Sequence, residues 1–155
     1  GAKVLRLSDS VYGSDSVAAV GVAAHECGHA IQHQRGYVPL RVRGAFVPVA
    51  NFGSSIAWPL IIIGLMMRGQ IIIEIGIICF SFAVIFQLIT LPVEFNASGR
   101  AMRILRETGI LNSQELPMTG RVLRAAAMTY VASAASAILQ LLRLIILYGG
   151  RRRNE

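Results

Sequence analysis

The stretch from Phe46 to Leu91, FVPVANFGSSIAWPLIIIGLMMRGQIIIEIGIICFSFAVIFQLITL, decides the fold. Residues 46–67 carry no charge. At ~1.5 Å per helical residue such a run spans the ~30 Å hydrocarbon layer of a bilayer. Arg68-Gly69-Gln70 is a short polar break, and residues 71–91 form a second apolar run of similar length. Two apolar runs joined by three residues predict a helical hairpin that crosses a membrane and returns. Pro48 and Pro59 are expected to kink the first span, which neighbouring helices tolerate by satisfying the freed carbonyls.

The composition agrees with this reading. The chain has 155 residues, of which 54% are hydrophobic and only 15% charged, with a mean hydropathy of +0.59. That balance belongs to membrane proteins and predicts a mainly α, multi-pass helical protein of one domain. The net charge of +7 does not point to nucleic acid. The arginines flank apolar segments instead of forming one basic face interleaved with aromatics, an arrangement suited to lipid headgroups. Cys27 and Cys79 are too few for a disulfide framework, and Cys79 reads as a small buried hydrophobe. Residues 1–16 lack the apolar core of a signal peptide. The chain begins Gly1-Ala2 without a methionine. The expectation is a fragment or processed product whose missing N-terminal part holds a further membrane segment.

Outward from the hairpin, Lys3 to Val11 alternates apolar and charged residues and predicts a short N-terminal edge strand. Ser14, Asp15 and Ser16 are good N-caps, so a helix should start there and run to Gly36, a natural residue just past a helix end. Its sequence, VAAVGVAAHECGHAIQ, is apolar nearly all round, which predicts burial. Residues 37–44 read as a basic connector. Pro92 is expected to open a new amphipathic helix that Gly109 ends, with residues 110–120 a loop. Residues 125–148 predict a third span, in which Ala132/Ser136 and Ser133/Ala137 have the spacing of close helix packing. Arg151 to Arg153 stop it.

The chemistry lies in His25-Glu26-Cys27-Gly28-His29. On a helix, residues four apart share a face, so His25 and His29 can point at one ion. Glu26 is offset by ~100° and can reach a metal-bound water without ligating the metal. Zinc lowers the pKa of that water toward ~7, and the carboxylate accepts its proton. A lone glutamate beside two imidazoles in so apolar a helix would be costly without a metal or another partner. His33 continues the same face, but three histidines at this spacing span ~12 Å, too far for one ion. It reads as a surface or supporting residue, and Cys27, facing away from the pair, as packing.

A catalytic zinc needs a third protein ligand and an open position. The extended pattern in which a third histidine follows a glycine after the motif is excluded, because positions 32 and 35 are Gln32 and Arg35. Downstream carboxylates are Glu74, Glu94, Glu107 and Glu115. Glu107 lies among arginines, Glu115 in a polar segment, and Glu74 near the far-side turn. Glu94 follows the second span, which returns it to the side where the histidine helix begins. It is the expected third ligand, with Asn96 and Ser98 as supporting hydrogen-bond donors.

HECGHAIQH, followed after a membrane hairpin by LPVEFNASGRA, resembles the YugP-like family of membrane-embedded neutral zinc metallopeptidases. More distantly it is similar to the integral-membrane gluzincins that include the HtpX heat-shock protease and CAAX prenyl endopeptidases. The resemblance covers nearly the whole chain. It implies a zincin-like metal helix, one zinc per chain, His25, His29 and Glu94 as ligands and Glu26 as catalytic base. Two departures stand out: relatives carry an N-terminal membrane helix and a soluble stretch before the strand, and the distant gluzincins tend to have Asp where this chain has Ser98.

The expected function is therefore a zinc endopeptidase acting on membrane or membrane-associated polypeptides, with substrate held by the edge strand through strand addition. Arg100 and Tyr12, with Tyr37 and Tyr130, are candidates to stabilise the oxyanion. The expected partners are a polypeptide substrate and the lipid bilayer, with a missing N-terminal segment or a second copy as possible associates. Ten Lys and Arg residues fall on the side of the active site (Lys3, Arg6, Arg35, Arg41, Arg43, Arg100, Arg103, Arg106, Arg121 and Arg124) and four on the other (Arg68 and Arg151 to Arg153). This bias predicts an active site that faces the cytoplasm, and the expected location is a bacterial plasma membrane. The rival reading is a non-catalytic membrane scaffold or metal-handling protein whose structural zinc would need a fourth protein ligand, usually Cys.

Overall fold

The computed structural model describes residues 4–149. Lys3 and Arg151 to Arg153 lie outside the described residues. Five helices follow in order: α1 (Asp9–Tyr12), α2 (Val17–Gln34), α3 (Val38–Met66), α4 (Gln70–Thr108) and α5 (Glu115–Tyr148). The last three are long and apolar enough to cross a membrane.

Some boundaries fall where residue chemistry puts them. Ser16 caps α2, its hydroxyl accepting from the Ala19 N–H at 3.2 Å. Past the other end, Gly36 takes a left-handed backbone (φ 62°). The Tyr37 N–H bonds the Gln32 carbonyl and the Gly36 N–H bonds the His33 carbonyl, the paired pattern of a glycine-terminated helix. Gly109, also left-handed (φ 65°), ends α4. Arg68 (φ 54°) and Gly69 turn the chain between α3 and α4.

Elsewhere the structure corrects the sequence reading. No strand occurs among the described residues. The expected edge strand is instead an irregular segment leading into α1, where the Ser8 carbonyl accepts from the Val11 and Tyr12 N–H groups. Alternation over a few residues makes a strand only when another strand supplies the ladder, and none is available here. The basic connector is helical from Val38 onward. Pro39 falls in its first turn, where a missing N–H costs nothing.

Pro92 does not open a helix but lies inside α4. Its ring is exposed, as is Leu88 one turn back, whose carbonyl loses its donor. The interruption thus sits on an outer face, away from packed neighbours. The loop expected over 110–120 is shorter. Asn112 Oδ1 accepts from the Gln114 and Glu115 N–H groups, while the Glu115 carboxylate accepts from the Asn112 N–H. This reciprocal cap starts α5 at Glu115 and leaves Pro117 in the first turn. Finally, α2 is not buried all round. Ala19, Gly21, Ala24, Gly28 and Gln32 form its buried stripe, while Val22 is 38% exposed.

The chain divides into two compact units. One comprises Gly1–Arg41 with Leu91–Tyr130, the other Val42–Thr90 with Val131–Glu155. In the first, Ala24, Ala101, Leu105 and Leu123 form a core with Val20, Met102, Leu111 and Leu116 packed on it. In the second, Ile61, Ile73, Ile77 and Leu144 form the core, flanked by Phe80, Leu141 and Tyr148. The Gln70 side-chain amide donates to the Tyr148 carbonyl at 2.8 Å there. Within the apolar windows of α3, α4 and α5 only 22%, 22% and 11% is buried. The outward remainder, including Phe52, Ile62 and Ile78, suits a lipid surround, since water would not tolerate so much contiguous apolar surface.

Candidate active site

The site is built from α2 and the later part of α4, both within the first unit. Their approach depends on small residues. Gly28, the fourth residue of HECGH, lies against Ala97, and a Cβ added there would run into the Ala97 carbonyl oxygen. Ala97 and Ala101 are themselves fully buried. Backbones that close bring the histidine face of α2 within side-chain reach of α4.

His25 and His29, one turn apart, set their rings edge to face with centroids 4.7 Å apart. The His25 Nε2 is 3.0 Å from Glu94 Oε2, and the His29 Nε2 is 3.5 Å from that same oxygen. Glu94 is only 3% exposed. Bonds of about 2.0–2.1 Å in a tetrahedral arrangement put neighbouring zinc donors about 3.3 Å apart. The two observed separations bracket that value, and all three ligand atoms lie within 4.8 Å of one another. Two imidazoles and one carboxylate are also the donor chemistry zinc takes in a catalytic site. The residues fit the ion. Among the described residues no fourth His, Cys, Asp or Glu joins the group.

Each ring is also held from its other nitrogen. The His25 Nδ1 is 3.0 Å from Ser98 Oγ, and the His29 Nδ1 is 2.9 Å from Gln32 Oε1. Gln32, completely buried, donates its amide to the Val93 carbonyl at 2.8 Å and to Asn96 Oδ1 at 3.0 Å. The Arg100 Nε donates to that Asn96 oxygen at 2.8 Å, and the guanidinium lies over the Tyr37 ring, 5.8 Å from its centroid. The Glu94 carboxylate raises the His29 pKa above the ordinary 6.5 and Gln32 adds to this, while burial opposes both.

Beside the cluster is a cavity of about 200 Å³. His25, Glu26, Glu94 and Ser98 line one part of it, and Val22, Leu123, Ala126, Ala127 and Tyr130 the rest. Glu26 thus faces the same space as the ligand group without belonging to it.

The expected residues separate clearly. His25, His29, Glu94, Glu26 and Ser98 come together, and Asn96 supports the site through Gln32. Arg100 is engaged with Asn96 and does not line the cavity. Tyr12 is 82% exposed on α1 and His33 is exposed, both outside the group. Tyr130, one of several tyrosines the sequence offered, lines the cavity. Glu74 pairs with Gln70, and Glu115 caps α5. Gln32 and Gly28 were not legible as site residues. The available signal was their position: Gln32 is three residues beyond His29, and Gly28 stands where both histidines need a close neighbour helix.

A membrane-type helical chain holding two histidines and a glutamate around one point, with a second glutamate facing it, falls in the class of membrane zinc metallopeptidases. The chain belongs to the family described as "Putative neutral zinc metallopeptidase", which matches residues 1–149. It is 48% identical over 154 residues to a Bacillus subtilis (strain 168) protein named "Putative membrane protease YugP", covering 98% of this chain and 68% of that one. No solved structure matches. With that kinship and its three long apolar helices, the chain is a membrane protein.

Proposed function

We propose that this protein is a zinc endopeptidase of the gluzincin type that hydrolyses peptide bonds in membrane or membrane-associated polypeptides. The observation that carries the reading is the convergence of His25, His29 and Glu94 beside a cavity that Glu26 also faces. His25, His29 and Glu94 hold one zinc per chain. When bound, zinc supplies an acidified water and polarises the substrate carbonyl.

The residues of the chain do the rest. Glu26 takes the proton from the attacking water as the new C–O bond forms, and passes it to the amine nitrogen as the C–N bond breaks. Tyr130, on the cavity wall, is the donor for the oxygen that gains charge in the transition state. The Val22, Leu123, Ala126 and Ala127 surface receives an apolar side chain next to the scissile bond, favourable by ~25 cal/mol per Å² buried. Substrate capture by an N-terminal strand has no support.

A structural zinc would be closed by a fourth protein ligand, and among the described residues no further His, Cys, Asp or Glu joins the group. The positive-charge bias supports a site on the cytoplasmic side of the membrane. The test is Glu26→Gln in the full chain in detergent or vesicles, assayed on a single-span membrane substrate. Retained zinc with hydrolysis lost is expected. Unchanged hydrolysis overturns the assignment.

A further inference from the structure

The hydrogen bonds behind His29 have only one consistent direction, and it can be read from groups whose roles are not ambiguous. An arginine Nε only donates, so the Asn96 atom facing Arg100 is the oxygen. A backbone carbonyl only accepts, so the Gln32 atom facing the Val93 carbonyl is the amide nitrogen. That nitrogen has two hydrogens, and the two acceptors at 2.8 and 3.0 Å use both. The remaining Gln32 atom, Oε1, only accepts. It faces the His29 Nδ1 at 2.9 Å, so the Nδ1 carries the hydrogen and donates.

The consequence is specific to this ring. With Nδ1 committed as donor, Nε2 is the nitrogen left to present a lone pair, and it is the one that faces Glu94. His25 has no such constraint, because the Ser98 hydroxyl can either donate or accept. Gln32 is also 0% exposed and sits on the helix that carries His29. Its far-end anchor, Arg100, lies over Tyr37, which the left-handed Gly36 leads into from the end of α2.

We propose that Gln32 is a positioning residue that orients the His29 imidazole for zinc. It accepts the Nδ1–H and turns Nε2 toward Glu94, its own amide being held by the Val93 carbonyl and by Asn96, which Arg100 anchors in turn. This rests on the zinc reading above and adds the element that sets one ligand's geometry.

The test uses the full chain in detergent, with zinc affinity measured by chelator competition and labelled histidines observed in ¹H–¹⁵N spectra. In the zinc-loaded parent, the His29 Nδ1–H should be a slowly exchanging resonance. Gln32→Met, of similar size but without the acceptor, should lose that resonance and bind zinc ~10–100-fold more weakly, the usual cost of removing a ligand's supporting partner. Zinc bound by the parent through the His29 Nδ1, or Gln32→Met affinity within threefold of the parent, overturns the proposal. Should Gln32→Met not fold, the parent spectrum decides together with Arg100→Met, for which a smaller loss of affinity and faster Nδ1–H exchange are expected and parent-like values of both count against it. A parent that takes up no zinc sinks the peptidase reading itself. A parent that binds zinc while the Gln32 predictions fail sinks only this inference.

Discussion

At the residue scale, the site separates roles that its short motif leaves merged. His25 and His29 share one carboxylate oxygen, and Glu26 faces the cavity beside them without joining. Replacing Glu26 by Gln removes a proton acceptor but no ligand, so kcat is expected to fall ~10²–10⁴-fold with zinc content unchanged by metal analysis. Tyr130→Phe removes one hydroxyl from the cavity wall. A donor used only in the transition state predicts a ~10²–10³-fold loss in kcat with little change in KM; a loss confined to KM would assign Tyr130 to substrate binding. His29 also predicts a pH effect. Because Glu94 raises its pKa above 6.5, protons compete with zinc for it from a higher pH than they would for an ordinary histidine. Apparent zinc affinity should therefore weaken as pH is lowered, beginning above 6.5. Affinity flat down to pH 6 in a chelator titration would contradict this.

At the scale of elements, the close contact between α2 and α4 is the device that makes the site possible. Gly28→Ala places a methyl group against the Ala97 backbone, and neither partner is a flexible side chain that can yield. Overpacking of this kind costs ~1–3 kcal/mol. The variant should melt earlier and also lose zinc affinity, since parting the helices draws the histidines from Glu94. A lowered melting temperature with parent-like zinc binding would show that the glycine serves packing alone. Three helix ends were legible from their capping residues, because a cap is a local matter: Ser16, Gly36 and Gly109 stand at or just beyond them, whereas the starts of α3 and α5 lie upstream of where the apolar runs put them. The proline positions misled for the same reason. Local rules put Pro92 at a boundary, yet its face of α4 is open, where a missing hydrogen bond disturbs no packed partner.

At the scale of the whole molecule, apolar patterning and tertiary organisation answer different questions. The lengths of α3, α4 and α5 predict that the protein stays with membranes through alkaline extraction and leaves them only with detergent. The distribution of basic residues sets the proposed orientation. With Cys27 and Cys79 replaced by alanine, Arg68→Cys should react with an impermeant thiol reagent from outside the cell, and Asn112→Cys only after lysis. The reverse pattern would place the active site outside.

The sequence by itself determined the helix carrying HECGH, the two apolar runs around Arg68-Gly69-Gln70, and the placing of two histidines on one helical face. All of these are statements about neighbours in the chain, written in periodicity, capping residues and residue type. The tertiary structure decided which groups meet across long separations. His25 meets Glu94 across 69 residues, and Gln32 meets Asn96 across 64. The HECGH motif opened the case for a metal. The fold turned it into a cluster of three candidate ligands whose His29 is held from behind by Gln32, because only packing of α2 on α4 brings those donors and acceptors within bonding distance.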